Sequence, residues 1–521
     1  MKKLLYTLAG FGFLLSSCAD DYMDTMPESS TATGTLIEST ENAKLAINGI
    51  CRLMGNQYLS TQGMNGEGTI KTWYGNYPGN DFQKSNLTGW SPIINGTYHE
   101  RNTSSYDYYP WFYYYKLIVN ANAVIVNIEN MNGLEADKNF IKAQALTFRA
   151  YSYFMLSQLY CHRWVDSNNG SSRGLPLRLD LGSEELPAST LGETYAQIYA
   201  DLNEAIAAFK ASGKKREAND NYSPDLSVAY AVYARAALTR QDWANAANYA
   251  ALAREGYSLM SNAEYFSGFN TPNSEWIWSV YSASDQTLYY YSFFAYQGSN
   301  SSAGACKNYP CAISKELINQ IPETDIRRDL FLVPKTEEEV NSYAKTNGKA
   351  NSNEALYNRA KAEYKDKLNS ASLIFAYMQF KHTVVDQPGV GHVNNFRAAE
   401  MYLTEAEAKC MLGGKDAEVQ NLLVELNAGS GRNPEYTCDK TGADLLEEVK
   451  LYRRFELWGE GFDWFDYKRW KQPIVRKTHP EGSFHAQFAI TLEPSGENQW
   501  TWVFPAKECD YNDALNNQYK E

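Results

Sequence analysis

The sequence predicts a mainly α protein, a single helical domain built from paired helices with long loop-rich insertions and little β. Three observations lead there. From residue 39 onward apolar residues recur every three or four positions, the period of a helix that buries one face. Near the C-terminal end Leu445, Val449, Tyr452 and Phe455 share such a face, and Gly459 and Gly461 then break it into a corner from which a second helix, 462–470, departs. Beyond the N-terminal stretch, no Gly/Ser- or Pro-rich linker divides the 521-residue chain.

The chain opens on Lys2 and Lys3, an apolar run over 4–15, and then Ser16, Ser17 and Cys18. That run is too short to span a bilayer and has the layout of a secretory signal, assigned to 1–17, with an ordinary signal cut elsewhere as the alternative. Leu15, Ser16, Ser17 and Cys18 resemble the bacterial lipobox, in which the Cys is acylated and becomes the new N-terminus. Several acyl chains on one Cys anchor stably where a single chain is marginal. Ala19, Asp20 and Asp21 resemble the acidic signal that exports such lipoproteins to the cell surface in Bacteroidetes. Residues 18–38, rich in Ser, Thr and small side chains, read as a flexible tether, and 39–521 as the folded domain.

The spacing then predicts helices over 40–54, 111–131, 137–160, 191–209, 227–238 and 243–253. Small and large residues alternate along 137–160 (Ala143, Leu146, Ala150, Tyr153), as close helix packing requires. A further pair over 401–423 turns at Gly413 and Gly414. Asp242, Trp243, Ala244, Asn245 and Ala246 resemble the turn and second-helix start of a tetratricopeptide repeat, so the pairs look like degenerate repeats of that kind. The charges of the last corner are sorted, with Asp463 and Asp466 at the start of 462–470 and Lys468, Arg469 and Lys471 at its end, which suits the helix dipole.

A formal charge of −13 argues against nucleic acid or an anionic membrane surface as partner and leaves neutral ligands open. With 39 Tyr and 12 Trp the chain is rich in rings that present an apolar face and a polar handle, the combination that suits a sugar. Helix packing accounts for most of them. Of 8 Cys, Cys18 is assigned to lipid; Cys306 and Cys311 are close enough for a small disulfide loop, a pairing the spacing leaves open. The 6 His are scattered and no pattern has zinc-ligand spacing, so no metal or cofactor is expected.

Ligand chemistry is expected in three segments. The stretch 71–82 reads as a loop offering Trp73, Tyr74, Tyr77 and Asp81; 86–92 exposes Trp90 among turn formers; and 287–300 carries Tyr289, Tyr290, Tyr291 and Tyr296, with three consecutive Tyr that no simple helix or strand can bury together. The denser aromatic run over 106–115 leads into a helix, which assigns Trp111, Tyr115 and Ile118 to the core.

Residues 452–470, YRRFELWGEGFDWFDYKRW, resemble the "RRxEL-x-x-EG-x-x-WFD-x-x-RW" signature of the SusD/RagB family of outer-membrane lipoproteins. Further segments are similar to that family in the same order: 142–154 (KAQALTFRAYSYF), the Asp325 to Arg327 turn, 396–408 (FRAAEMYLTEAEA) and 502–508 (WVFPAKE). The resemblance implies a non-catalytic surface protein that binds oligo- or polysaccharide and works beside a SusC-like TonB-dependent transporter. It transfers no ligand residue one by one. Two other classes stay open: a peptide-binding helical scaffold of the same fold, and a glycoside hydrolase, which needs two carboxyl groups across a sugar bond. No H-E-x-x-H, G-x-S-x-G or G-x-x-x-x-G-K-[ST] motif occurs, and nothing marks one acid pair above the others.

Overall fold

The computed structural model describes residues 38–58, 64–86, 88–282, 291–339, 354–494 and 500–515. Its frame is a stack of helices in chain order: α1 (Thr40–Leu53), α2 (Ser105–Asn127), α3 (Glu135–Tyr160), α4 (Leu191–Ser212), α5 (Leu226–Arg240) and α6 (Trp243–Ala253), each packed on the one before it. Their ends follow local chemistry. The Ser39 hydroxyl accepts from the Asn42 amide at the start of α1, and Thr190 and Glu193 form a reciprocal capping box at the start of α4. Gly213, with φ of +62°, ends α4 in the left-handed region. Stacked rings fill the helix contacts: Tyr233 lies 4.5 Å from Tyr199 and 4.0 Å from Tyr249, which absorbs part of the Tyr excess.

The stack continues across a long excursion of the chain. Helix α6 packs against α7 (Ala398–Leu412), which packs in turn on α8 (Asp416–Val424) and α9 (Gly442–Glu456). The intervening chain is closed at its base where β2 (Trp276–Val280) pairs antiparallel with β4 (Val393–Arg397). A second small sheet joins β1 (Phe82–Lys84) to β3 (Cys311–Ile313), and a third joins β5 (Ile474–Val475) to β6 (Thr491–Leu492). Helix α10 (Asp463–Trp470) follows the Gly459 and Gly461 corner, where both glycines have positive φ, +77° and +93°.

The main core runs from Ala43 to Leu515, and a second apolar cluster joins α7, α8 and α9 through Leu403, Leu423, Leu445 and Val449. Trp464, Phe465, Trp111 and Ile118 are buried as their helical spacing predicts, whereas Tyr115 is half-buried. Cys306 and Cys311 are separate, buried thiols.

Candidate functional site: an aromatic cluster between the early and mid-chain segments

The stretch expected as an open loop is buried, and its first half is helical. A short helix, Gly66–Thr69, runs into a π-helical turn, Ile70–Asn76, every residue of which is inside. The reason is a close approach that composition does not reveal. A Cβ on Gly75 would stand 2.2 Å from the Gly461 carbonyl oxygen, so the two backbones touch. Asn76 clamps the contact: its amide donates to the Gly459 carbonyl at 2.9 Å, and its oxygen accepts from the Gly461 amide at 2.8 Å. One turn on, the Asp463 carboxylate accepts from the backbone amides of Asp81 (2.6 Å) and Phe82 (2.9 Å). Asp81 itself takes both nitrogens of Arg454, at 2.7 and 2.8 Å, in a bidentate pair. Burial, then the neighbouring Asp81 carboxylate, push the Asp463 carboxyl up to about 7.

Beneath this clasp lies a buried charge network. Arg397 reaches Glu275 and Glu456 at 2.6 Å and Glu460 at 2.8 Å; Arg327 joins Asp325 to Glu456; Arg432 bonds Glu275; and Lys381 bonds Glu460 at 2.6 Å. Burial alone raises a carboxylate, yet Arg397 and Lys381 hold Glu460 down at about 2. Against the same burial, Arg432, Arg397 and Arg327 hold Glu456 well below the usual carboxylate range. Glu456 and Glu460 are thereby held as ion-pair partners of the buried cations.

The aromatic groups that the clasp positions meet on the outer side of the π turn. Trp73 lies 5.3 Å from Tyr106, 5.7 Å from Tyr296 and 6.5 Å from Trp90. Trp90, at the start of a short helix, meets Tyr296 edge-on at 5.1 Å and contacts Tyr77 and Tyr309. Tyr98 stacks on Tyr106 at 4.9 Å. Lys84 holds the two chain segments together, its buried ammonium donating to the carbonyls of Tyr296 (2.9 Å) and Tyr309 (2.6 Å). Trp73, Tyr77 and Tyr296 form a buried floor, while Trp90, Tyr98, Tyr106, Tyr291 and Tyr309 are half-exposed around it. Three polar atoms of that floor, Trp73 Nε1, Tyr77 OH and Tyr296 OH, have no hydrogen-bond partner among the described residues. Burial pushes both phenols up, so each stays protonated. An unpartnered buried donor costs roughly 1–3 kcal/mol, and buried polar groups are rarely left in that state.

The structure thus gathers Trp73, Tyr77, Trp90 and Tyr296 from segments far apart in sequence, and corrects their arrangement. Trp73, Tyr77 and Tyr296 are floor, not open platforms, because the π turn and the short helix Phe293–Gln297 pack inward. Tyr74 faces elsewhere, its ring 5.0 Å from Trp502 and its hydroxyl on the Tyr106 carbonyl, and Asp81 is spent on Arg454. Tyr289 and Tyr290 lie outside the described residues. Tyr98, Tyr106 and Tyr309 were not anticipated in this role; Tyr106 sits in the first turn of α2, where periodicity points only to packing. Among the described residues there is no group of three or more His, Cys, Asp or Glu able to hold a metal, and no helix long and apolar enough to cross a membrane.

Stacked helix pairs carrying an aromatic cluster on short helical turns make up the architecture, and the comparisons place the chain in a family. Residues 240–519 match the SusD family, and 21–238 match a SusD-like family described as starch-binding and associating with the outer membrane. The chain belongs to the SusD family. Its fold is that of a SusD-like carbohydrate binding protein from Bacteroides vulgatus, with 23% identity over 92% of this chain and 98% of that one and a TM-score of 0.74. A SusD superfamily protein from Bacteroides thetaiotaomicron gives 22% identity over 92% and 99%, with a TM-score of 0.68. One from Bacteroides fragilis gives 19% over 92% and 99%, with a TM-score of 0.65. No curated protein matches the chain.

Proposed function

We propose that this protein is a non-catalytic cell-surface lipoprotein that binds oligo- or polysaccharide at the aromatic cluster and delivers it to a SusC-like TonB-dependent transporter in the outer membrane. The observation that carries the reading is the ring of half-exposed Trp90, Tyr98, Tyr291 and Tyr309 around Trp73, Tyr77 and Tyr296, whose polar side-chain atoms have no partner among the described residues. Rings offer C–H faces of a sugar a flat apolar surface, and the unpaired N–H and O–H groups suit its hydroxyls. Family membership and the binding named for the Bacteroides vulgatus relative support a carbohydrate over a peptide. Residues 1–17 serve as the signal, Cys18 carries the lipid, 18–38 form the tether and 39–521 the binding domain; the lipid is the only membrane contact, and neither cofactor nor nucleic acid takes part.

A glycan array on the form lacking residues 1–18 identifies the ligand class, and calorimetric titration of the best hit locates it. Trp90→Ala is expected to weaken binding by about 1–3 kcal/mol, the range for losing one anchoring aromatic contact, with little change in melting temperature. Full affinity in both Trp90→Ala and Tyr291→Ala removes the cluster as the site. Release of shorter oligosaccharides by the purified protein overturns the non-catalytic reading.

A further inference from the structure

A cleft that shares no residue with the aromatic cluster opens between the C-terminal end of α4, the chain leading into α5 and the turn after α6. Its volume is about 670 Å³, within the range of small-molecule sites. The walls are braced from behind. Arg216 crosses from the 213–225 segment to β2, with Nε on Asp225 at 3.0 Å and its terminal nitrogens on the Ser223 and Ile277 carbonyls and the Tyr257 hydroxyl. Trp276 closes the cleft from β2 at 1% exposure. Pairing sets Trp276 opposite Arg397 and Trp278 opposite Phe396, so a bulge falls between two indoles that regular alternation would send to one face. Trp278 stacks on Phe396 in the core and donates to the Tyr222 carbonyl at 2.7 Å. Trp276 lines the cleft instead, and its Nε1 N–H has no partner among the described residues. A buried donor left in that state is a standing cost that an acceptor offsets.

The remaining walls say what kind of ligand fits. Asn273 spends its side-chain oxygen on the Glu275 amide at 3.0 Å, which leaves its N–H groups to donate, and Asn221 and Ser274 add further donors and acceptors. Tyr257 is half-exposed and adds the face of a ring. The charges cancel. Arg216 is paired with Asp225, and Lys214 bonds Asp137 outside the cleft, so Lys210 and Lys215 remain to balance Glu217 and Glu255. Walls without an excess of either sign do not concentrate an ion, whereas carboxamides, a hydroxyl and a ring match a neutral ligand rich in hydroxyls.

From a roomy, charge-balanced cleft that combines a half-exposed ring, carboxamide donors and an unpartnered indole N–H, we infer a second carbohydrate site, for a neutral oligosaccharide. The choice of ligand rests on the carbohydrate reading of the chain; the cleft itself does not depend on the aromatic cluster. Two sites on one chain hold a long polysaccharide more firmly than either does alone, because the second contact forms at high effective concentration.

The test is calorimetric titration of the full chain, in a detergent without a sugar headgroup, with maltohexaose, mannohexaose and xylohexaose and, separately, with a hexapeptide of alternating Gly and Ser. The expected result is saturable binding of at least one sugar that persists in Trp90→Ala and falls at least tenfold when Tyr257→Ala or Ser274→Leu is added. Ser274→Leu narrows the cleft from an exposed position, so it keeps the test open if Tyr257→Ala does not fold, and circular dichroism checks each variant. Sugar binding that Trp90→Ala alone abolishes leaves the aromatic cluster as the site and overturns this inference only. Binding lost in both cleft variants but intact in Trp90→Ala supports the cleft and overturns the cluster. No saturable heat with any of the three sugars, or binding of the peptide in their place, overturns the inference.

Discussion

Replacing Gly75 by Ala tests the clasp on which the aromatic cluster is built. The added methyl would sit 2.2 Å from the Gly461 carbonyl oxygen, 2.6 Å from its carbon and 2.7 Å from its Cα, all backbone atoms that no rotamer change can move. Removing a helical Gly favours folding by about 0.5–1 kcal/mol, while overpacking a tight interior costs about 1–3 kcal/mol, with rigid backbone at the upper end. Relief of the overlap also pulls Asn76 away from Gly459 and Gly461, weakening two buried hydrogen bonds worth about 1 kcal/mol each. The net expectation is a loss of about 2–4 kcal/mol. Urea unfolding reads it as a lower midpoint at unchanged slope. Gly49→Ala is the control: it lies on the exposed side of α1 with nothing within 4 Å of its added Cβ, and is expected to gain about 0.5–1 kcal/mol. A Gly75→Ala protein as stable as Gly49→Ala refutes the close-contact argument.

Three further outcomes are expected. Trp73→Ala opens the floor of the cluster and is expected to cost about 3–5 kcal/mol of stability, measured by denaturant titration, in contrast to the nearly neutral Trp90→Ala. Asp463 titrates at about 7 in the fold, above the ordinary 3.8. Its native state thus binds the proton more tightly than the unfolded chain, so stability falls as pH rises from about 4 to 7 and the loss is complete above that. Asp463→Asn, which keeps an oxygen for the Asp81 and Phe82 amides, is expected to flatten that slope in unfolding measured across this range; an unchanged slope assigns the pH dependence elsewhere. Cys18→Ala is expected to move the protein from the membrane to the soluble fraction with an unchanged melting curve, and retention in membranes that lack the transporter counts against lipidation.

The helices were legible because burial on one face leaves a local period, and Leu445, Val449, Tyr452 and Phe455 occupy the positions that period assigns. The charges beside them were legible only in part. Their sorting suits the helix dipole, yet their main partners are remote or across the corner: Arg453 pairs with Asp466, Arg454 with Asp81, and Glu460 with Arg397. A dipole is a property of one helix and shows in a short window; an ion pair between segments hundreds of residues apart leaves no local trace. The same limit governs the candidate site. The sequence marks Trp73, Tyr77, Trp90 and Tyr296 as aromatics near turn formers, but the difference between a floor and a rim is decided by Gly75 meeting Gly461 and by Lys84 drawing the carbonyls of Tyr296 and Tyr309 inward. Those contacts bury the polar edges of three rings without giving them partners among the described residues, at a cost that the proposed polar ligand would relieve. Chemistry that depends on which atoms remain unpaired after packing becomes visible only once the packing is known.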